Sequence, residues 1–573
     1  MIPGKDNSGI MNNTDNYISR MLVDLLAGHG VKDAVVSPGS RNTPLLVALS
    51  RSADITVRVV VDERSAAFIA LGISLVSGRP VAIVCTSGTA LLNYAPAVAE
   101  AYYRRVPLIV ISADRPEEWI DQDDSQTIVQ RGALANYVKR SYDIPVEKAA
   151  SDRWYANRMV NDAMLSAMSG RKAPVHINIQ FDAPLGRMTE TSDAPPRLIS
   201  TIDPAATLTT AQARQLGSTI ASPRKVMIVA GFMSPDTVLN RALGRLASLP
   251  NFVVLTETTA NLHGKEFVDS IDSTLSAIGK NRLPDFKPDV VITLGGALVS
   301  RHIKQFLRSN PPEEHWHVGV ARTTIDCFKC LTTRIELEPR VFFPLLASAM
   351  QPHRGECGYA SRWDVMRNRA ISLRQSFVAR IPWCDFKAFS VLIPLIPRRW
   401  NVHYSNGTPI RYAQIFGEHE YHRCDCNRGV SGIDGCTSTA IGASLAYNGD
   451  VTLLVTGDMS ALYDLGALAC NYITPRFKIV VIDNGGGGIF RFIPSTDKLD
   501  ILDECFSVSN LHLPLPQLAD GFGFSYFEAS DESGLRQAFA SFRDEKSRPA
   551  MLRIVTDGAL SADVLKNYFE QST

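Results

Sequence analysis

Two short stretches of this sequence set hard oxygen donors beside glycine. One is Gly457-Asp458, after the apolar run VTLLVT. The other is Asn484 and four consecutive glycines, Gly485 to Gly488, after FKIVVI. A carboxylate and an amide oxygen suit Mg²⁺ or Ca²⁺, and magnesium keeps few protein ligands, filling its shell with phosphate oxygens and water. Each glycine costs a regular element roughly 0.5–1 kcal/mol relative to alanine. Four together therefore imply backbone that something approaches closely, and exposed amides and carbonyls suit a metal-bound diphosphate. Rival glycine motifs fit less well. A dinucleotide fingerprint needs G-x-G-x-x-G at the first strand–helix turn and an acid about 20 residues on. The run overlaps only a relaxed form of it, and the preceding Asp483-Asn484 does not belong to that motif. The Gly-Lys-Ser/Thr of a Walker A loop is absent.

The elements that must position these groups follow from pattern. Val451 to Gly488 reads strand, turn, helix, strand, turn. A right-handed crossover sets both strand ends side by side on a parallel sheet, at the edge where open α/β sheets take ligands. The rest of the chain is built alike. Tyr17, Ile18, Met21, Leu22, Leu25 and Leu26 form the apolar face of a helix, expected to start at a Thr14 or Asp15 cap and stop before Gly30. The runs AVV, TVRVVV, PVAIVC, PLIVIS and PVHINI alternate with helices. Continuous apolar strands of this kind mean a buried parallel sheet. Residues 182–207, rich in Pro, Thr, Ser and Asp, read as a linker. A second segment with KVMIVAG, FVVLTE, DVVITLG and HWHVGV is poor in paired acid–amide or glycine signatures and is expected to be mainly structural. A polar stretch near 350–361 leads to a third segment. The expectation is an α/β protein of three successive doubly wound parallel-sheet domains, residues 1–190, 205–355 and 370–573.

Bulk properties narrow the partners. A net charge of +1 with interspersed acids and bases argues against nucleic acid as the main partner. No apolar run reaches transmembrane length, and MIPGKDNSGIMNNTDN lacks the apolar core of a signal peptide. A cytoplasmic protein is expected. The ten cysteines show no disulfide framework. Cys327/Cys330 and Cys424/Cys426 could each be half a zinc site, but no second pair answers either, so ordinary reduced cysteines are favoured.

The combination of Gly457-Asp458, a helix, a strand and Asn484-Gly485 resembles the motif of the thiamine diphosphate-dependent enzyme superfamily, usually GDG, a spacer and NN. The resemblance implies thiamine diphosphate held through Mg²⁺ (or Mn²⁺) by Asp458, Asn484 and the carbonyl of Gly486, with Gly457 beside them. Met459 and Asp483 depart from the motif, but neither change removes a side-chain ligand. A carboxylic acid must also meet the pyrimidine ring nitrogen of the cofactor, and the resemblance assigns this to Glu63 in VVVDERSAAFIA. Taken alone, Glu63 reads as a first-turn acid favoured by the helix dipole. Ile433, in NRGVSGIDG, is the implied apolar prop between the cofactor rings.

Further blocks narrow the resemblance. SPGSRNTPL, DERSAAFIALG, TSGTALLNYAPAVAEA, ADRPEE, CNRGVSGIDG and GDMSALYDLGAL are similar to the MenD-type family of 2-succinyl-5-enolpyruvyl-6-hydroxy-3-cyclohexene-1-carboxylate synthases, over essentially the whole chain. This implies a transferase of menaquinone synthesis that decarboxylates 2-oxoglutarate and adds the succinyl-semialdehyde carbanion to isochorismate. Both substrates are dicarboxylates, which arginine forks bind well. By resemblance Ser40, Arg41, Arg115, Gln126, Arg411 and Arg428 contact substrates, Arg301 aligns more loosely, and Ile489 and Phe490 supply an apolar wall. The family often reads N-S-x-P-I-R where this chain has Asn406-Gly407-Thr408-Pro409-Ile410-Arg411, a lost hydroxyl for which Ser405 or Thr408 could stand in. In this superfamily the glutamate and the diphosphate site lie on different domains, often of different subunits. A homodimer or dimer of dimers with active sites at the subunit interface is implied. Two alternatives stand beside this reading. One is another thiamine diphosphate-dependent 2-keto acid carboligase or decarboxylase. The other is a catalytically silent binder of the cofactor, which loss of the activating glutamate would support; Glu63 is present.

Overall fold

The computed structural model describes residues 12–571 apart from 191–192, 203, 322, 351–356, 418–419, 494 and 510–512. Among the described residues the chain forms three six-stranded sheets, all parallel, and one small two-stranded sheet. The first large sheet runs, edge to edge, Thr56–Val59, Asp33–Val36, Val81–Cys85, Leu108–Asp114, Val175–Gln180, Ser141–Ile144. The third has the same topology: Arg423–Asp425, Asn401–Tyr404, Thr452–Gly457, Phe477–Asp483, Ala550–Val555, Ser525–Ala529. The middle sheet differs, running Phe267–Val268, Phe252–Thr256, Val226–Ala230, Val290–Leu294, Glu314–Val318, Thr333–Ile335. Its central strands are buried on both faces. Val226, Ile228 and Ala230 enter one core, while Met227 and Val229 enter another. This two-sided burial is why the strands read as continuous apolar runs.

By contacts the chain falls into two compact units. The first holds residues 1–203, 429–448 and 464–473, and the second holds the remainder. In the first unit, helices Glu63–Ser77 and Cys436–Ala446 cross backbone to backbone. A Cβ on Gly72 would stand 2.0 Å from the Thr439 carbonyl oxygen, and one on Gly442 would stand 1.9 Å from that of Ile69. These glycines sit inside helices, where glycine is otherwise costly. The crossing is their physical reason.

Open α/β sheets take ligands where the strand order reverses. In the first sheet that point lies between Asp33–Val36 and Val81–Cys85, and in the third between Asn401–Tyr404 and Thr452–Gly457. In the middle sheet it lies between Val226–Ala230 and Val290–Leu294, and there it is closed. Gly296 N donates to Phe232 O at 2.9 Å, and a Cβ on Gly296 would enter the Phe232 ring at 2.1 Å. The middle sheet has a dinucleotide-type strand order with its crevice filled by protein.

Some local expectations shift. The first helix, Tyr17–Gly28, is capped by Asn16, whose Oδ1 accepts from Ser19 N at 2.9 Å. Thr14 instead pairs in a short strand, Asn13–Thr14, against Met188–Thr189 within the stretch read as linker. The crossover after Gly457 is a short helix, Asp458–Tyr463, followed by a 3₁₀ turn, Leu465–Ala469, with Asp458 already in the helix and not in a preceding turn. The stretch near 350–361 lies partly outside the described residues.

Candidate active site

In the first unit, loops after successive strands gather Ser40, Arg41, Arg115 and Gln126. The loop Thr86–Gly88 bonds to two of them, Arg41 and Gln126. Thr86 Oγ1 accepts from Arg41 N at 3.3 Å, Ser87 O accepts from Gln126 Nε2 at 3.3 Å, and Gln130 Oε1 accepts from Gly88 N at 2.8 Å. A Cβ on Gly39 would fall 2.3 Å from Thr86 Cβ, so SPGS needs its glycine to dock here. Arg41 Nη1 donates to Phe181 O at 3.0 Å, and Arg115 pairs with Asp124 at 2.6 Å. Burial, with Arg115 nearby, lowers the Arg41 guanidinium below its ordinary value. Arg115 Nε is buried without a hydrogen-bond partner. Asp121, Asp123 and Gln126 all have positive φ, so the loop carrying Gln126 is held in a strained form.

Glu63 is the first residue of its helix and is half-buried. Asp62 does the capping, accepting from Arg64 N at 2.9 Å and Ser65 N at 3.3 Å. Cys85 and Tyr94 lie beside Glu63. Burial pushes both thiol and phenol well up, and the Glu63 charge adds to both. The buried hydroxyls of Tyr94 and Ser37 find no partner of hydrogen-bonding geometry. Ile433 is half-buried in the loop before helix Cys436–Ala446. That loop is held by Glu100, whose carboxylate accepts from Gly429 N at 2.8 Å and Val430 N at 2.6 Å. Sequence reasoning passed over Glu100. Its signal was an acid within the apolar helix Ala95–Arg104, where an acid buried to 2 % exposure needs donors.

In the second unit, Asp458 opens the short helix at the end of its strand and is 5 % exposed. Its carboxylate accepts from Gly486 N and Met459 N, each at 2.7 Å. Burial holds this carboxyl well above the usual range, and Asp483 and Asp385 add to the shift. Asn484 Nδ2 donates to Asp385 Oδ2 at 2.8 Å, which leaves Oδ1 as the other end of the amide. Asp483, the departure from the motif, accepts from Arg553 Nε at 2.7 Å.

The four glycines answer in part to the chain itself. A Cβ on Gly486 would lie 2.1 Å from Ser507 O, one on Gly487 would lie 2.9 Å from the Phe490 ring, and one on Gly488 would lie 2.9 Å from Asn484 Nδ2. Gly485 and Gly486 also have φ of +81° and +129°. Gly457 is different, since a Cβ there would meet nothing within 4 Å. No described protein atom requires that glycine. Ile489 and Phe490 follow in the 3₁₀ turn Gly488–Arg491, with Phe490 5.8 Å from the Phe506 ring.

Arg301, Arg411 and Arg428 form a second cationic group in this unit. Burial pulls Arg411 down to about 10, and Arg301 and Arg428 add to the effect. Arg411 donates to Gly407 O, and Arg428 donates to Asn406 Oδ1 at 3.0 Å. Arg428 Nε is buried without a partner. Gly407 has φ +100°, a conformation that strains any L-residue, so the missing serine hydroxyl accompanies a backbone suited to glycine. Ser405 Oγ accepts from Gly457 N at 3.4 Å, tying the two strand ends together. Arg301 begins its helix just after Val299 and Ser300, whose N–H groups both donate to Glu257 at 2.8 Å. Burial pushes the Glu257 carboxyl up to about 7.

These residues fit a diphosphate cofactor and its metal. Crowded buried carboxylates and an oriented amide suit a divalent cation, and Gly457 leaves room for phosphate. Residues 17–134 match the family described as "Thiamine pyrophosphate enzyme, N-terminal TPP binding domain". Proteins named 2-succinyl-5-enolpyruvyl-6-hydroxy-3-cyclohexene-1-carboxylate synthase are similar throughout. That of Porphyromonas gingivalis is 39% identical over 557 residues, covering 96% of each chain. Those of Cytophaga hutchinsonii and Flavobacterium johnsoniae are 37% and 35% identical, covering 95% and 97% of this chain and 97% and 99% of theirs.

The chain belongs to this synthase family. It is a thiamine diphosphate-dependent transferase of the carboligase type. Similarity of this extent favours the synthase family over the broader group of thiamine diphosphate carboligases. No helix of the described residues is long and apolar enough to cross a membrane.

Proposed function

We propose that this synthase decarboxylates 2-oxoglutarate and joins the succinyl-semialdehyde carbanion to isochorismate. The products are CO₂ and 2-succinyl-5-enolpyruvyl-6-hydroxy-3-cyclohexene-1-carboxylate, in menaquinone synthesis. Asp458, Asn484 and the Gly486 carbonyl would hold Mg²⁺ (or Mn²⁺), with Gly457 against the diphosphate and Ile433 propping the rings. When bound, thiamine diphosphate supplies a nucleophilic carbon that stores the electron pair left by CO₂. Glu63 holds and exchanges a proton at the pyrimidine ring nitrogen, a task suited to a carboxyl in a largely apolar setting. Ser40, Arg41, Arg115 and Gln126 form one carboxylate-binding set, and Arg301, Arg411 and Arg428 form the other. Fixing both dianions orients the reacting carbons, and Ile489 and Phe490 keep water from them.

The observation that carries this reading is the gathering of three guanidinium groups, the half-buried Arg411 and Arg428 and the exposed Arg301, whose mutual repulsion an anionic substrate relieves. Replacing Arg428 by Gln removes a charge-assisted contact worth about 1.5–3 kcal/mol. KM for 2-oxoglutarate or isochorismate is expected to rise roughly 10- to 100-fold, as measured by steady-state kinetics with each substrate varied. Unchanged KM for both would remove Arg428 from the substrate site.

The half-sites are proposed to meet between subunits of a homodimer or a dimer of dimers. Val61 and Val430, near Glu63 and Ile433 in the sequence, are 77 % and 53 % exposed, which supports burial by a partner. Residues 1–190, 205–355 and 370–573 are proposed as pyrimidine-binding, central and diphosphate-binding domains. Cytoplasmic location is proposed from the ten free cysteines.

A further inference from the structure

Asp385 has no part in the motif that flagged the metal site. It is the first residue of helix Asp385–Leu395, far upstream in the chain, and is 1 % exposed. A buried carboxylate at a helix start usually serves that helix. This one faces elsewhere. Oδ2 accepts from Asn484 Nδ2 at 2.8 Å, and Oδ1 accepts from Thr556 Oγ1 at 2.5 Å. Its own N–H donates to Ser561 Oγ at 2.9 Å, which fixes the backbone beneath the side chain. Thr556 N in turn donates to Asp483 O at 3.0 Å, so the same small network holds the strand end that carries Asn484. Among the described side chains, both carboxylate oxygens are thus spent on groups flanking the cation site.

A side-chain amide can present either its oxygen or its NH₂ to a site, and only the oxygen ligates a hard cation. With Asp385 accepting the NH₂, the amide of Asn484 has one orientation that satisfies both groups. We propose that Asp385 is a positioning residue that fixes the amide of Asn484 with its oxygen toward the cation, without itself being a ligand. Partners that orient ligands in this way are typically worth 10–100-fold in metal affinity. The inference rests on the cofactor reading given above.

The test titrates Mn²⁺ into the full-length protein with thiamine diphosphate and follows the free-ion electron paramagnetic resonance signal. Wild type, Asp385→Ala, Asp385→Asn and Asp458→Ala are compared, with thermal unfolding of each cofactor-free protein alongside. Asp385→Ala is expected to weaken Mn²⁺ binding roughly 10- to 100-fold. Asp385→Asn, whose oxygen can still accept from Asn484 while its NH₂ donates to Thr556, is expected to stay within about threefold of wild type. A merely structural role would lower the unfolding temperature of the cofactor-free protein and would not separate the two variants in Mn²⁺ affinity. Tight binding by a folded Asp385→Ala protein, with binding lost in Asp458→Ala, would overturn the inference and leave the cofactor reading standing. Equal loss in Asp385→Ala and Asp385→Asn would overturn the orientation argument. No Mn²⁺ bound by wild type would overturn both.

Discussion

Glu63→Gln binds Mg²⁺ and thiamine diphosphate with little change and turns over at least ~10²-fold more slowly, within the range that a positioned proton-transfer group supplies. The substitution keeps the volume and a hydrogen-bonding donor and acceptor, and removes the titratable proton. The fold gives this variant a clear reading because Asp62, not Glu63, caps the helix. Losing the Glu63 carboxylate therefore leaves the helix start intact. Calorimetric titration of the cofactor and steady-state turnover measure the two halves separately. Full activity would remove Glu63 from the chemistry, and lost cofactor binding would make its role one of affinity instead.

Gly442→Ala is expected to be the most destabilising small change in the first unit. Its Cβ would sit 1.9 Å from the Ile69 carbonyl oxygen, a backbone atom that cannot swing aside. Overpacking of this kind costs about 1–3 kcal/mol, which corresponds to a drop in Tm of roughly 2–12 °C. Turnover should fall as well, since the displaced helix begins with Glu63. Gly244→Ala is the control. It too lies within a helix, but its Cβ would meet nothing within 4 Å. There alanine should be neutral or stabilising by about 0.4–1 kcal/mol. Thermal unfolding of both variants decides. If Gly442→Ala melted with wild type, the helix crossing would be looser than described.

Periodicity found the long apolar strands and the two strand ends that carry Asp458 and Asn484, because burial on both sheet faces and glycine at strand ends leave local marks. Short edge strands such as Ser141–Ile144 and Arg423–Asp425 left none, since their pairing is decided by neighbours distant in sequence. The same limit explains Asp385 and Glu100. Each acts on a backbone or side chain far along the chain, and nothing in either local sequence names the partner. The glycine run was read as an approach for phosphate. Three of its members are also demanded by packing on residues 484–508, while at Gly457, in a less conspicuous place, no described protein atom lies within 4 Å of where a Cβ would stand. Asp483, a departure from the motif by sequence, is an ion-pair partner of Arg553 in the fold.

The central claim is carboligation between two anionic substrates, and loss of isochorismate tests it most directly. Purified protein is given Mg²⁺, thiamine diphosphate, 2-oxoglutarate and isochorismate, with each of the first three omitted in turn. Isochorismate is expected to disappear only when all three are present, with CO₂ released in equal amount. CO₂ release from 2-oxoglutarate with isochorismate untouched would contradict the account and make the protein a decarboxylase. No change in either substrate, with the cofactor bound, would make it a silent binder.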